Sequence, residues 1–325
     1  MHLKGFFKKS WEVLSCTFGA FSTDRAMKMS ASLAYYTIFS LAPLLIVLIS
    51  AVTLIYGQTI RGKANIEEKV FTEISKMAGH DAAVQIREVI QKVSVSEDST
   101  LAAIIGAITL FIGATGVFLE IQDSINMIWR VRAKPKKGWL KFLMNRLLSF
   151  SMIIGLGFLL IVSLIANALI LALSEQITSY FPQVTDYTIH ILNIVNLALT
   201  FTVISSLFAI IFKFLPDVII KWRDVRVGAI VTALLFMLGR FLIGLYIEKV
   251  GPGTAYGAAG SLIVILVWVY YSSAILYFGA EFTQVYAEKY GHAIRPATYA
   301  VLIVQKEVEK EVDVLPPQNE EKKPS

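Results

Sequence analysis

Six runs of the chain are too long and too apolar to be the helices of a water-soluble domain: Ser30–Tyr56, Leu101–Trp129, Leu143–Leu173, Tyr187–Leu215, Val227–Ile247 and Ala258–Tyr286. A helix rises about 1.5 Å per residue, so about 20 apolar residues cross the hydrocarbon of a bilayer. Backbone groups in lipid find no water, which leaves helices as the form such runs must take. Several runs exceed the crossing length, so tilt or protrusion is expected. Composition agrees, with 56% of residues hydrophobic and 17% charged, where soluble domains carry about 25% charged residues. The expected fold is all-α: a polytopic membrane protein with six transmembrane helices and an N-terminal amphipathic interfacial helix.

Residues 1–29 supply that first helix. Phe7, Trp11, Leu14, Phe18 and Phe21 recur on one helical stripe, with Lys4, Lys8 and Lys9 beside it. Such a helix suits the headgroup region, apolar side in the acyl boundary and lysines toward anionic lipid. Packing on the protein's own flank is the alternative. The membrane domain is expected over 30–292, interrupted by 57–100, where Ile66, Val70, Ile74 and Met77, then Ile86, Val89, Ile90 and Val93, mark two amphipathic exterior helices. From 293 to 325 the chain reads as a charged, disordered tail. No cleavable leader is expected.

Orientation follows from lysine and arginine between the spans. Lys4, Lys8, Lys9, Arg25 and Lys28 precede the first span. Arg130, Arg132, Lys134, Lys136, Lys137 and Lys141 follow the second, and Lys221, Arg223 and Arg226 follow the fourth. The connection after the third span has none, and that after the fifth has only Lys249. Both termini are therefore expected in the cytoplasm of a bacterial cell, with the protein multi-pass in the inner membrane. This bias accounts for the net charge of +6, so no nucleic acid partner is expected.

Chemistry-bearing groups are few. One cysteine, Cys16, excludes an intramolecular disulfide, and four scattered histidines match no zinc-type spacing. No metal, no cofactor and no enzymatic activity are expected. The second span is unusual at its end, where Gln122, Asp123, Asn126, Trp129 and Arg130 share one arc of roughly 120°. That face cannot point to lipid, so it either fixes helix packing or lines an inner vestibule. Glu281 on the sixth span, Tyr35 on the first and Asp217 in the turn after the fourth reach a similar depth. Asp123, Asn126, Arg130, Glu281, Tyr35 and Asp217 are the candidate inner residues. Arg240 differs, lying about 21 Å into the fifth span with no obvious acid nearby. It suits a phosphate headgroup or another anion, unless it snorkels to the surface.

Four blocks, ASLAYYTIFSLAPLL (Ala31–Leu45), GATGVFLEIQDSINMIWRV (Gly113–Val131), Phe212–Ile247 and Thr254–Ala287, resemble the YihY/BrkB family of bacterial inner-membrane proteins over about residues 5–292. Asp123, Asn126, Trp129, Asp217, Arg240, Gly279 and Glu281 fall on positions similar to that family's motif. The resemblance implies a role in envelope integrity, with lipid transport as the activity proposed for the family. An older ribonuclease BN label does not suit this chain, which offers no His/Asp cluster to hold two cations. The expected function is transport of a lipid or other amphipathic anion, with membrane lipids and envelope proteins as candidate partners. An ion- or proton-coupled solute transporter, in which Asp123 or Glu281 titrates, is the alternative, and a non-transporting envelope scaffold is a further one.

Overall fold

The computed structural model describes residues 2–40, 116–134, 185–250 and 260–304. Helix α1 spans His2–Thr23, and residues 26–40 are helical (α2), as are 116–128 (α3). They are followed by α4 (Thr185–Phe214), α5 (Trp222–Val250) and α6 (Gly260–Tyr290). The third predicted span and the exterior segment 57–100 lie outside the described residues, as do parts of the first two spans.

Helices α4, α5 and α6 match the last three predicted spans, and each is long and apolar enough to cross a membrane: Ile194–Phe214, Trp222–Tyr246 and Ile263–Tyr290. Large apolar side chains are left exposed along them, including Ile191, Ile194 and Leu197 on α4 and Ile230, Leu234, Leu238, Phe241 and Leu242 on α5. In water such surfaces would drive association; along membrane helices they meet lipid. The protein is thus a helical membrane protein.

Packing runs α4 on α5, α5 on α6 and α1 on α6. The α5–α6 contact is made by a reciprocal pair of small residues. A Cβ on Gly228 of α5 would collide with Thr283 of α6, and a Cβ on Gly279 of α6 would collide with Thr232 of α5. Thr232 Oγ1 donates to Gly228 O at 2.7 Å and Thr283 Oγ1 to Gly279 O at 2.6 Å, so each threonine satisfies its hydroxyl within its own helix. The backbones can therefore approach closely without burying an unpaired group.

At one end of these helices the chain builds a cap, and here the all-helical expectation needs correction. Strand β1 (Val131–Ala133) pairs antiparallel with β4 (Ala300–Leu302), and β2 (Val218–Ile219) with β3 (Arg295–Pro296). The stretch from 295 to 302, expected in the disordered tail, is drawn back to cover open carbonyls and amides: Lys134 N–H donates to Tyr299 O, Ile303 N–H to Arg130 O and Ala297 N–H to Asp217 O. Residues 305–325 lie outside the described residues. The main core sits beneath this cap, built from Leu33, Ile125, Ile128, Trp129, Phe208, Phe212, Leu215, Val225 and Tyr277.

The N-terminal helix also differs from its pattern. Val13 and Thr17 are buried, with Val13 packed beside Phe282 and Val285 of α6. Trp11 and Phe18 of the expected stripe remain 74% and 63% exposed. Helix α1 thus has a protein face and a separate apolar outward face. Lys289 Nζ reaches Glu12 at 2.7 Å, tying α1 to the end of α6.

Candidate functional site

Two polar clusters lie at the capped end. The first grows from the arc on α3. Asn126 Nδ2 donates to Asp217 Oδ2 at 3.0 Å, and Asp217 N–H donates back to Asn126 Oδ1 at 2.8 Å. Gln122 Nε2 approaches Asp217 Oδ1 at a longer 3.4 Å. All three residues are buried. Burial raises the Tyr299 hydroxyl above its ordinary value, and the neighbouring, hydrogen-bonded Asp217 carboxylate pushes the same way. Asp217 follows Pro216, which ends α4 in a tight turn and brings the carboxylate under α3. A carboxylate this well provided with donors is a clamp between α3, the α4–α5 turn and the returning C-terminal segment.

The same arc sends Trp129 inward, where its indole N–H donates to Ala280 O on α6 at 3.1 Å. Asp123 lies at the exposed edge of α3. The polar arc is thus split: Gln122, Asn126 and Trp129 fix packing, while Asp123 and Arg130 face outward. Lys213 donates to Ile220 O and lies 5.7 Å from the Trp222 ring.

The second cluster joins three elements. Arg130 ends α3 in a left-handed conformation (φ 55°), and its guanidinium lies 3.5 Å from Asp24. Asp24 sits in the turn between α1 and α2, beside Arg25, which also has a φ of 55°. Across from them, Glu281 of α6 is 0% exposed; its carboxyl oxygens meet no N–H or hydroxyl donor among the described residues, and the Asp24 carboxyl is set against them at hydrogen-bonding range. Among the described residues, Asp24, Arg130 and, more weakly, Glu288 of the same helix are the charged groups that act on it. Burial holds the Asp24 carboxyl above its ordinary value, against the pull of Arg130. Glu281 and Arg130 were expected at one depth and do meet. Asp24 was missed, because only the turn after α1 brings it there.

A third link closes the cap. The Asp224 carboxylate, in the first turn of α5, accepts from His292 N–H at 3.1 Å and lies 3.2 Å from His292 Nδ1. It fastens the end of α6 to the start of α5. Tyr35 is remote from these clusters, exposed on α2 and packed edge-on against Tyr36 and beside Phe39.

Arg240 lies 18 residues after Trp222, about 27 Å along α5. Ala229, Ala233, Phe236 and Arg240 fall in one arc of roughly 60°. Along that single stripe, Ala229 and Ala233 are buried, Phe236 is half-buried against Phe208 and Trp268, and Arg240 is exposed. Helix α4 shows the same trend, from buried Phe212 and Phe208 through half-buried Phe201 to exposed Ile194. The facing sides of α4 and α5 are buried near the cap and become more exposed toward the other end, where Arg240 lies, although Ile243, three residues further along α5, is buried. Arg240 joins neither polar cluster, and no described acid pairs with it. Among the described residues no three His, Cys, Asp or Glu side chains gather to hold a metal ion.

The family model described as virulence factor BrkB matches residues 17–300. Curated relatives carry the name UPF0761 membrane protein. One from Pseudomonas aeruginosa (strain LESB58) is 27% identical over 80% of this chain and 59% of its own length. Another from Alcanivorax borkumensis is 26% identical over 81% of this chain and 58% of its own. A third, from a Janthinobacterium strain, is 30% identical over 62% of this chain and 45% of its own. The match therefore spans about half the length of these relatives, from 45% to 59%. No solved structure matches. With the matched region covering α2 to α6 and both polar clusters, the chain belongs to the BrkB family of membrane proteins.

Proposed function

We propose that the protein engages a membrane lipid, or another amphipathic anion, at Arg240 along the exposed sides of α4 and α5, and helps move it as part of keeping the envelope intact. The observation that carries this reading is the exposure of Arg240 on a stripe whose other residues are packed. A guanidinium among Phe241, Leu242 and Leu238 on a membrane helix is costly without a partner. A headgroup phosphate would supply both charge and acceptor geometry, while the acyl chains meet the exposed apolar residues of α4 and α5. In this reading the chain has six spans, lies in a bacterial inner membrane with its termini in the cytoplasm, and acts without catalysing a reaction. The polar clamps then serve as the fixed end against which the helices open.

The test is exchange of headgroup-labelled anionic lipid between leaflets of vesicles containing the purified protein. Wild type should accelerate exchange over empty vesicles, Arg240→Ala should lose most of that acceleration, and Arg240→Lys should keep part of it. No acceleration by wild type refutes transport of lipid. Acceleration unchanged in Arg240→Ala refutes the role of Arg240.

A second reading, ion- or proton-coupled solute transport, has the complete burial of Glu281 in its favour. Asp123, the other acid considered for that role, is exposed and so less suited to it.

A further inference from the structure

We propose that Asp24 and Glu281 together form a proton-binding site, holding one exchangeable proton between them with Arg130 as the fixed counter-charge. Glu281 is entirely enclosed, and its carboxyl oxygens meet no N–H or hydroxyl donor among the described residues, with the Asp24 carboxyl set against them instead. Polar atoms so placed are rare in folded proteins, because water's hydrogen bonds are lost and not replaced. Asp217 shows the contrast within the same cap: it is equally buried, yet it is met by Asn126, Gln122 and Tyr299. Glu281, set against a second carboxyl instead of N–H donors, therefore has a different explanation from structural clamping.

Charge balance supplies one. Asp24 and Glu281 contribute two acidic groups, and Arg130 contributes one positive charge. With both acids ionised, the enclosed cluster carries a net negative charge and two like charges face each other. One proton brings the cluster to neutrality. A metal ion would meet only two carboxylates and would be repelled by the guanidinium, and no third acid, histidine or cysteine completes a ligand set among the described residues. Among the described residues, the further charged group acting on Glu281 is the exposed Glu288 on its own helix.

Exposure is graded in the order a proton path needs. Glu281 is fully enclosed, the Asp24 side chain is 16% exposed and that of Arg130 is 51% exposed. The proton passes from the Glu281 carboxyl to the Asp24 carboxylate, leaving Glu281 ionised and Asp24 as the acid. Asp24 then yields it to water at its open edge. Ionisation of Glu281 leaves an uncompensated charge beneath the cap, so release of the proton pulls Arg130, α2 and α6 toward a different arrangement. The turns that position Asp24 and Arg130 hold Arg25 and Arg130 in the left-handed region, a backbone geometry that costs energy and that the packing around it must maintain.

The site stands apart from lipid engagement at Arg240, and its test contains no transport step. Infrared difference spectra of the full chain in lipid nanodiscs, recorded as pH is stepped, read the carbonyl band of protonated carboxyl groups directly. Wild type should show a buried-carboxyl band at neutral pH that vanishes on raising pH and is absent in Glu281→Gln. Glu281→Asp, which keeps the chemistry, should retain a band at a shifted frequency. Asp24→Asn removes the like charge and frees Arg130, so the pH at which the band disappears should fall by about one unit or more. A wild-type spectrum without the band at neutral pH overturns the site. A band whose midpoint is the same in Asp24→Asn overturns the sharing.

Discussion

Replacing Asn126 by alanine separates a structural clamp from a water-filled vestibule. In the structure Asn126 makes two bonds to Asp217, donating to its carboxylate at 3.0 Å and accepting from its backbone N–H at 2.8 Å. Loss of a hydrogen bond to a charged group costs about 1.5–3 kcal/mol, and a buried N–H left bare costs about 1–3 kcal/mol. Gln122, at 3.4 Å, is too long to take over, while Tyr299 keeps part of the carboxylate satisfied. The expected destabilisation of Asn126→Ala is therefore roughly 2–4 kcal/mol. Reversible unfolding in mixed micelles measures it, and a double-mutant cycle with Asp217→Ala measures how much belongs to the pair. The single costs should fail to add, with a coupling of at least about 1 kcal/mol. A cost below about 0.5 kcal/mol, or additive single mutants, would mean that water already serves Asp217, and the clamp would be wrong.

Gly279→Val forces a branched side chain into Thr232, so it should destabilise the α5–α6 contact by about 1–3 kcal/mol or more and be partly relieved by Thr232→Gly, as read by the same unfolding measurement. Trp129→Phe removes the indole bond to Ala280 O and should cost about 1 kcal/mol, while Met127→Ala, at an exposed position of the same helix, should cost much less. Asp24 has a folded pKa raised above its ordinary 3.8 by burial, so the native state holds its proton longer than the unfolded chain does. That contribution to stability is complete below 3.8 and is lost as pH rises through the folded value. Asp24→Asn should flatten this decline in a pH series of unfolding midpoints, and an unchanged slope would count against it. Glu12, held below its usual value by Lys289, works in the opposite sense: its contribution is present above 4.5 and fades as pH falls through the depressed value. Glu12→Gln should remove that acid-side loss.

Much of the polar chemistry was visible before any coordinates. The arc on α3 followed from helical period, and its burial at Gln122, Asn126 and Trp129 bears out that this face turns away from lipid. The depth match of Asn126 with Asp217, and of Arg130 with Glu281, came from counting residues along spans. Depth, however, does not decide azimuth. Asp123 shares the arc yet stays exposed, and Asp24 joined Glu281 from a turn that had no periodic pattern to flag it. The close contact between α5 and α6 was likewise missed. The packing uses Gly228 with Thr232 and Gly279 with Thr283, each pair a glycine and a threonine bonded to its own helix.

By itself, then, the sequence determined the solvent. Mainly apolar runs longer than a bilayer is thick can only become membrane helices, and α4, α5 and α6 keep nearly the predicted ends because hydrophobic length is a one-dimensional property. Tertiary structure decided which polar groups are neighbours. The two short sheets that recruit residues 295–302 pair segments more than 75 residues apart, and nothing local in a short polar stretch distinguishes a returning strand from a tail. The exposure of Arg240 beside the burial of Ala233 depends on what packs against each turn of α5, and the enclosure of Glu281 against Asp24 depends on a turn distant in sequence. Both are properties of three-dimensional packing, set by contacts between distant residues that no single stretch encodes.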